Sequence, residues 1–556
     1  MRLVLSLALV LTSSFLFAQR DFYDDYTFSR ADTLRGSLRP ERTAYDVTFY
    51  ELDLTVDHQK RSITGSVDMH YRVVEPFTTL QVDLYENMSL DQVTWRGQAL
   101  EFERVANAVF VKFPSTQSAE TDDRIRMHYH GQPTVARNAP WDGGFVWGQD
   151  QKKRPWIAVA CEGDGASLWW PNKDHLSDEP DSMAIKLTVA DRFVAVANGN
   201  LRKTVPLKKT RQTRYEWFVS YPIDNYNVTL NIGHYTHFHD VYTAENQDTL
   251  ALDYYVMDYN EDRAREHFKQ THQVLACYEH YMDRYPFWED GFALVETPYL
   301  GMEHQGAIAY GNKYMRGYLG GMIPRDMQWD YIIVHEAGHE YYGNSIGVAD
   351  LAEMWIQESF TTYLEALFVE YTMSYADAVR YLDKQKLYIL NQEPVLGPLG
   401  VNWEDWDGSD HYFKGAWILH TLRHAIGDDE KWFQIFKGFY RNNALSLVTT
   451  QDFLRYVNEQ TDRDWTAFFE QYLYYPQVPT LEYQLTEKDD QLLINYRWQA
   501  DVADFAMPVR VGTTKKRLRI TPKVGEWQEF ILFNAKKEDF RVATSLFLIK
   551  MKEVKN

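Results

Sequence analysis

The change in apolar period along this chain constrains its fold more than any other feature. YDVTFYELDLTVD over Tyr45–Asp57 and ITGSVDMHYRVV over Ile63–Val74 alternate apolar and polar residues. Such runs recur at short intervals to about His239, divided by turn residues, as expected of a large antiparallel β domain. Near Glu261 the period becomes helical. Further helical runs cover roughly Pro324–Tyr342, Asp350–Thr372, Tyr375–Asn391, Asp410–Ile426, Asp429–Tyr440 and Thr449–Glu459, with Thr449 and Thr450 as N-cap residues for the last. After Pro476 and Pro479, the short segments LEYQL, LLINYRW, PVRVG and LRIT return to strand character. Divided among 556 residues, these patterns predict an α+β multidomain chain. Its parts are an N-terminal antiparallel β domain (20–240), a mostly helical domain (241–476) and a small C-terminal β-sandwich (477–556).

Residues 1–19, MRLVLSLALVLTSSFLFAQ, place basic Arg2 before an apolar run from Leu3 to Phe17, followed by small Ala18. This is the pattern of an export signal, so the protein is expected in the periplasm or secreted. The run falls short of the ~20 apolar residues of a membrane span, although an uncleaved anchor is the second reading. No later segment is apolar enough to cross a bilayer. A net charge of −21 argues against nucleic acid as a partner, because phosphate neutralisation needs clustered Lys and Arg. Two cysteines, Cys161 and Cys277, lack CxxC spacing and cannot build a disulfide framework; whether they pair with each other is open.

The chemistry concentrates in VHEAGHEYYGN, which holds His335, Glu336 and His339. Residues four apart share one face of a helix, so the two imidazoles converge on one ion and Glu336 stands beside its water. A catalytic zinc takes three protein ligands and keeps one position open. Glu358, eighteen intervening residues after His339 in the helical segment WIQESFTTYLEAL, is the natural third ligand. Two imidazoles and one carboxylate suit zinc better than magnesium or calcium. One zinc ion per chain is expected, with Glu336 as general base and then general acid. Glu365, two turns beyond Glu358, could orient a ligand histidine, and an exposed position would suit it equally.

On these residues the chain resembles the M1 metallopeptidases, the family of aminopeptidase N and leukotriene A4 hydrolase. Their pattern is HExxH, then Gly-Asn, Trp and a Glu segment. It is matched by His335-Glu336-x-x-His339, Gly343-Asn344, Trp355 and Glu358-Ser359-Phe360. The family usually has Trp where Tyr341 stands and Gly where Ser359 stands. Its Gly-x-Met-Glu-Asn motif corresponds to Leu300, Gly301, Met302, Glu303 and His304, which carries the role of binding the substrate's free α-amino group to Glu303. A third motif is carried over to Glu162, nine residues before Pro171 and followed by Asp178-Glu179-Pro180, as a second amine-binding carboxylate. The Tyr-Glu-Lys-Gly motif maps onto HYFKGAWIL and makes Tyr412 an oxyanion donor, with Lys414 and Gly415 in register.

The resemblance implies a thermolysin-like catalytic domain and aminopeptidase activity on peptides with a free N-terminus. The family's large C-terminal helical domain has no counterpart here, which suggests an open cleft or closure by a partner subunit. Two other readings are an epoxide hydrolase like leukotriene A4 hydrolase and a catalytically silent peptide-binding member. The complete set His335, Glu336, His339, Glu358 and Tyr412 argues against the silent one. The preferred N-terminal residue and the oligomeric state are not written in the sequence.

Overall fold

The computed structural model describes residues 22–23 and 25–555; the export signal expected at residues 1–19 lies outside them. Two short helices, α1 (Arg30–Gly36) and α2 (Pro40–Thr43), lead into a ten-stranded sheet. Its central strand, Tyr45–Asp57, pairs antiparallel with Ser62–Val73, placing Leu52 opposite Val67 and Leu54 opposite Gly65. The same strand pairs in parallel with Ser182–Ala190, where Leu52 meets Ile185. The expected purely antiparallel domain therefore contains one parallel seam. Local alternation fixes which face of a strand is buried but not the direction of its neighbour. A four-stranded sheet over residues 144–233 lies with it, and Leu52, Leu54, Ile185, Trp169 and Trp170 share one apolar core.

Strands Tyr235–Thr243 and Thr249–Met257 pair antiparallel. They continue through Phe292–Glu296, Ile308–Tyr310 and Gly301–Met302 into a mixed five-stranded sheet. The boundary expected at residue 240 falls inside the first of these strands, so backbone pairing runs across it. The region expected to be mostly helical carries this sheet on one side. Its short strands are buried on both faces and show no alternation from which to read them; Phe292–Glu296 is buried throughout.

Helices α3 (Glu261–His267) and α4 (Thr271–Tyr281) precede that strand, and α5 (Tyr331–His339), α6 (Trp355–Thr372) and α7 (Tyr375–Gln385) follow the sheet. The chain continues through α8 (Asp410–Ile426), α9 (Asp429–Asn443), α10 (Thr450–Thr461) and α11 (Thr466–Leu473). Most starts and stops follow the predicted periods. At α10, Thr449 caps the first turn in a capping box with Asp452. The largest departure is α5, predicted over 324–342 but confined to nine residues because Asp330 caps it late and Gly343 (φ +126°) ends its following turn; α6, predicted from Asp350, begins at Trp355, and α7, predicted to Asn391, ends at Gln385. Among the described residues no helix is long and apolar enough to cross a membrane.

The tail forms a four-stranded sheet (480–488, 491–499, 528–533 and 550–553) and a three-stranded one (509–512, 517–520 and 541–542). Its buried Leu481, Trp498, Phe505 and Val509 belong to the same apolar cluster as Trp417 and Tyr472 of the helices. Lys414 on α8, fully buried, donates from Nζ to the carbonyls of Pro476 (2.7 Å) and Tyr475, which fastens the tail's first turn to the helical core. Cys161 and Cys277 are both buried and unpaired.

Candidate active site

Helix α5 begins where Asp330 accepts from the backbone N–H groups of Ile332 and Ile333. The same carboxylate accepts from Tyr310 Oη (2.8 Å) and Asn312 Nδ2 (2.7 Å), pinning the start of the helix to the mixed sheet. Gly338 lets α5 approach α6 closely, since a Cβ there would lie 3.0 Å from Thr361 Cγ2. That approach brings Glu358 to the two histidines. The Nε2 atoms of His335 and His339 are 3.1 Å apart, and Glu358 Oε2 lies 3.5 Å from the first and 3.3 Å from the second.

Bonds of ~2.0–2.1 Å around a tetrahedral zinc put donor atoms ~3.3–3.4 Å apart, so this triangle has the size of three zinc ligands. The three side chains are buried, and their chemistry, two imidazoles and a carboxylate, suits that metal. The remaining imidazole nitrogens are held as well. His335 Nδ1 is 2.6 Å from Glu365 Oε1, and Glu365 in turn accepts from Tyr381 Oη and from Gln385 Nε2 at 3.1 Å. Glu365 is fully buried, which decides between the two roles left open by its sequence position. His339 Nδ1 lies 3.0 Å from the Tyr342 carbonyl and 2.9 Å from Glu303 Oε2. With Nδ1–H donating in this way, each ring presents Nε2 to the ion.

Glu336 extends from the same helix toward the cleft and is 7% exposed. Burial pushes its carboxyl up to about 7. Gly301 makes room for it: a Cβ there would lie 2.5 Å from Glu336 Oε1. Met302, buried beside it in the two-residue strand, fixes the backbone from which Glu303 projects. Glu303 is 2% exposed and accepts from Tyr226 Oη, while Asn344 Nδ2 donates to its carbonyl at 2.7 Å. The Gly343-Asn344 pair thus packs directly on the Glu303 segment, and Tyr226 reaches it from the β domain.

Glu162 enters from that domain too. One oxygen from each of Glu162, Glu303 and Glu358 lies within 4.8 Å of the others, and Glu162 Oε1 has no hydrogen-bond partner. Burial, then Glu303 and Glu358, push its carboxyl well above the ordinary range. The accompanying Asp178 lies elsewhere: it pairs with Lys173 and accepts from Val47 N within the β domain.

Tyr412 sits in the first turn of α8, its ring stacked on His335 with centroids 6.2 Å apart. Burial and the adjacent Glu358 hold its phenol well above the usual range, so it is a hydroxyl donor. Helix α8 reaches α6 here because Ser359 Oγ donates to the His411 carbonyl (2.6 Å) and because a side chain at Gly415 would overlap that hydroxyl. All nine sequence-predicted residues thus border one cleft of about 820 Å³ or its floor. Sequence reasoning missed Tyr226, Tyr381, Gln385 and the contact of Glu303 with His339. Tyr226 is 77 residues from its partner, with no motif to announce it.

Residues 266–472 match the peptidase family M1 domain. Aminopeptidase B from Mus musculus is 24% identical over 300 residues, covering 50% of this chain and 43% of its own length. Aminopeptidase N from Haemophilus influenzae is 22% identical over 502 residues, covering 86% of this chain and 54% of its own. The chain thus spans about half the length, or less, of these curated relatives. An M1 zinc metallopeptidase from Deinococcus radiodurans, crystallised as a variant with a Tyr-Ser-Ala substrate, superposes with a TM-score of 0.63 at 20% identity. That match covers 79% of this chain and 96% of the other and shows a shared fold, with a large β domain followed by a helical catalytic region. The HExxH helix and the second-helix glutamate both fall within residues 266–472, the part of this chain that matches the peptidase family M1 domain.

Proposed function

We propose that this protein is a zinc-dependent aminopeptidase that removes N-terminal residues from peptides. The observation that carries the reading is the placement of an unpartnered Glu162 oxygen within 4.8 Å of Glu303 and Glu358, beside a triangle of donors sized for zinc. A carboxyl oxygen without a partner, lining the cleft, accepts a substrate's free ammonium, whose charge holds the carboxyl ionised, and favours it over a blocked N-terminus. Glu303 lies behind it, its oxygens engaged by Tyr226 and His339, and adds negative charge to the same pocket.

His335, His339 and Glu358 would hold the zinc, which when bound supplies Lewis acidity to the scissile carbonyl and acidifies a water. Glu336, with its carboxyl near neutrality, takes a proton from the attacking water at Oε1 or Oε2 and returns it to the leaving nitrogen. Tyr412 donates its hydroxyl to the oxyanion that forms at the carbonyl carbon. Gly301 leaves the space in which the Glu336 carboxylate turns between these tasks.

The discriminating experiment pairs amino-acyl chromogenic amides with the same amides N-acetylated. Cleavage of the free-amine set alone is expected; equal cleavage of both sets would make the protein an endopeptidase, and cleavage of neither would make it silent. Glu336→Gln should keep its zinc and lose ~10²–10⁴-fold in kcat. We also infer export, on the pattern of residues 1–19, with the mature chain outside the cytoplasm. The two small sheets of the tail are read as a sandwich bracing the helical region, supported by the apolar cluster they share.

A further inference from the structure

The segment just ahead of the β domain crosses from one wall of the cleft to the other. Tyr23, Tyr26 and Phe28 surround Trp403, with ring centroids 5.1, 4.9 and 6.2 Å away, and Tyr23 Oη donates to the Leu396 carbonyl at 3.3 Å. Helix α1 follows, started by a capping box between Ser29 and Asp32. At its end the Gly36 backbone lies so close to Val401 and Asn402 that any side chain there would overlap them. Arg35, one residue earlier, donates from Nη2 to the Gly163 carbonyl, and its Nη1 lies 3.8 Å from Glu404 Oε1. Asn402 Nδ2 donates to the same Gly163 carbonyl at 3.1 Å.

The two walls joined here are the two that matter to the cleft. Gly163 follows Glu162 directly, and its φ of +76° sets a turn that a side chain would strain. The other wall is the connection between α7 and α8, whose Glu404, Asp405 and Trp406 line the cleft and which runs directly into Tyr412. The strap is itself anchored in the β domain. Fully buried Arg42 donates to the Arg35 carbonyl and pairs with Asp83 at 2.6 Å, and His175 Nε2 lies 3.1 Å from the Gly36 carbonyl. A guanidinium suits this junction because its fork reaches a carbonyl and a carboxylate at once.

We propose that residues 22–23 and 25–36 form a positioning strap for the substrate cleft, with Arg35 as the residue that sets Glu162 at a fixed distance from the 396–406 wall. Arg35 touches no reacting atom. It acts on substrate through the Gly163 turn and the Glu404 wall, so its contribution is to the binding of the N-terminal residue. The kinetic part of this inference rests on the aminopeptidase reading above; the conformational part does not.

Two measurements on the full-length zinc-loaded protein test it. In Arg35→Ala, hydrogen exchange should accelerate in both 160–165 and 396–406, with zinc content unchanged. On amino-acyl amides KM should rise ~10-fold with kcat little altered, since loss of a charged hydrogen bond that serves binding equally in ground and transition states moves KM alone. Arg35→Lys should recover part of the KM change, because a point charge can serve one partner but not the fork. Asn402→Ala, which removes the second donor to Gly163, should shift KM and exchange in the same direction and serves if Arg35→Ala does not fold. Unchanged exchange in the two segments would overturn the strap, and faster exchange with unchanged KM would overturn its role in positioning. A protein inactive on every amide would leave exchange to decide the strap and would count against the aminopeptidase reading alone.

Discussion

At the scale of single residues, the site is a hierarchy of carboxylates told apart by what faces them. Glu358 faces two imidazoles, which hold its carboxyl below the ordinary range; Glu336 faces the Gly301 gap, and burial moves its carboxyl to about 7. Glu365 has no access to solvent and is held by Tyr381 and Gln385, so its charge is spent on His335 Nδ1. Replacing Glu365 with Gln keeps the shape but removes the charge behind the imidazole. Zinc affinity should fall ~10–100-fold, measured by competition with a chromophoric chelator, while the fold is retained. Affinity equal to that of the parent would show that the Glu365 contact does not tune the ligand. Most of this scale was legible: His335, Glu336, His339 and Glu358 follow from spacing within one helix and one short connection. Glu365 could be named but not assigned, because burial decides its role.

At the scale of elements, the site depends on how closely α6 can approach α5 and α8. Gly415 faces Ser359, and the absent side chain on α8 leaves the space that the Ser359 hydroxyl of α6 occupies. Ala at an exposed helix interior would gain ~1 kcal/mol over Gly. At position 415 it should instead destabilise by ~1–3 kcal/mol, because its methyl overlaps Ser359 Oγ. Adding Ser359→Gly should restore much of the loss, a non-additivity read by denaturant titration of the two single variants and the double. Simple additivity would mean that the two helices do not meet through this pair.

Glu353, just before α6, gives a second prediction. Its carboxylate accepts from Thr450 N at the start of α10 (2.7 Å), and burial raises its carboxyl to about 7. The unfolded chain ionises Glu near ~4.3. Between those values the folded protein keeps a proton that the unfolded chain releases, so stability falls as pH rises, by on the order of 2–4 kcal/mol in all, and levels off above the folded value. Glu353→Gln cannot titrate. Relative to the parent it should gain stability between pH 5 and pH 8, seen as a shift in denaturation midpoint; an equal difference at both pH values would refute the sign.

At the scale of the whole molecule, the candidate catalytic residues come from three regions that meet at the cleft and also pack together away from it, as where Asn198 Nδ2 donates to the Gln305 carbonyl and Tyr299 Oη to the Val159 carbonyl. The β domain supplies Glu162 and Tyr226, the mixed sheet supplies Gly301–Glu303, and the helices supply the proposed metal ligands and Tyr412. Metal at their junction should therefore stabilise the whole. Anything that binds only the folded state stabilises it by RT ln(1 + [L]/Kd), ~4 kcal/mol at a thousandfold excess over Kd. Chelation should abolish activity and lower the thermal midpoint, and zinc should restore both. A midpoint unmoved by chelation would mean that the ligand triangle forms without contributing to stability. The parallel seam, the mixed sheet and the strap all belong to this scale, and none was legible. Each depends on pairing between distant segments, which a local period does not encode.

The sequence by itself picked out His335, His339 and Glu358 as a candidate ligand set and Glu336 as the candidate base beside it, because four-residue spacing and one short connection bind those side chains to neighbouring turns of helix. It also determined the order β, helical, β, because the burial of an amphipathic face leaves a period in the residues themselves. Only the tertiary structure decided that Glu303 touches His339, that Tyr226 holds Glu303, that Glu162 keeps a free oxygen beside them, and that Arg35 spans the cleft walls. Those contacts join residues from 36 to 369 positions apart. They exist because apolar cores on either side of the cleft hold their donors in place, and no stretch of the chain carries that information alone.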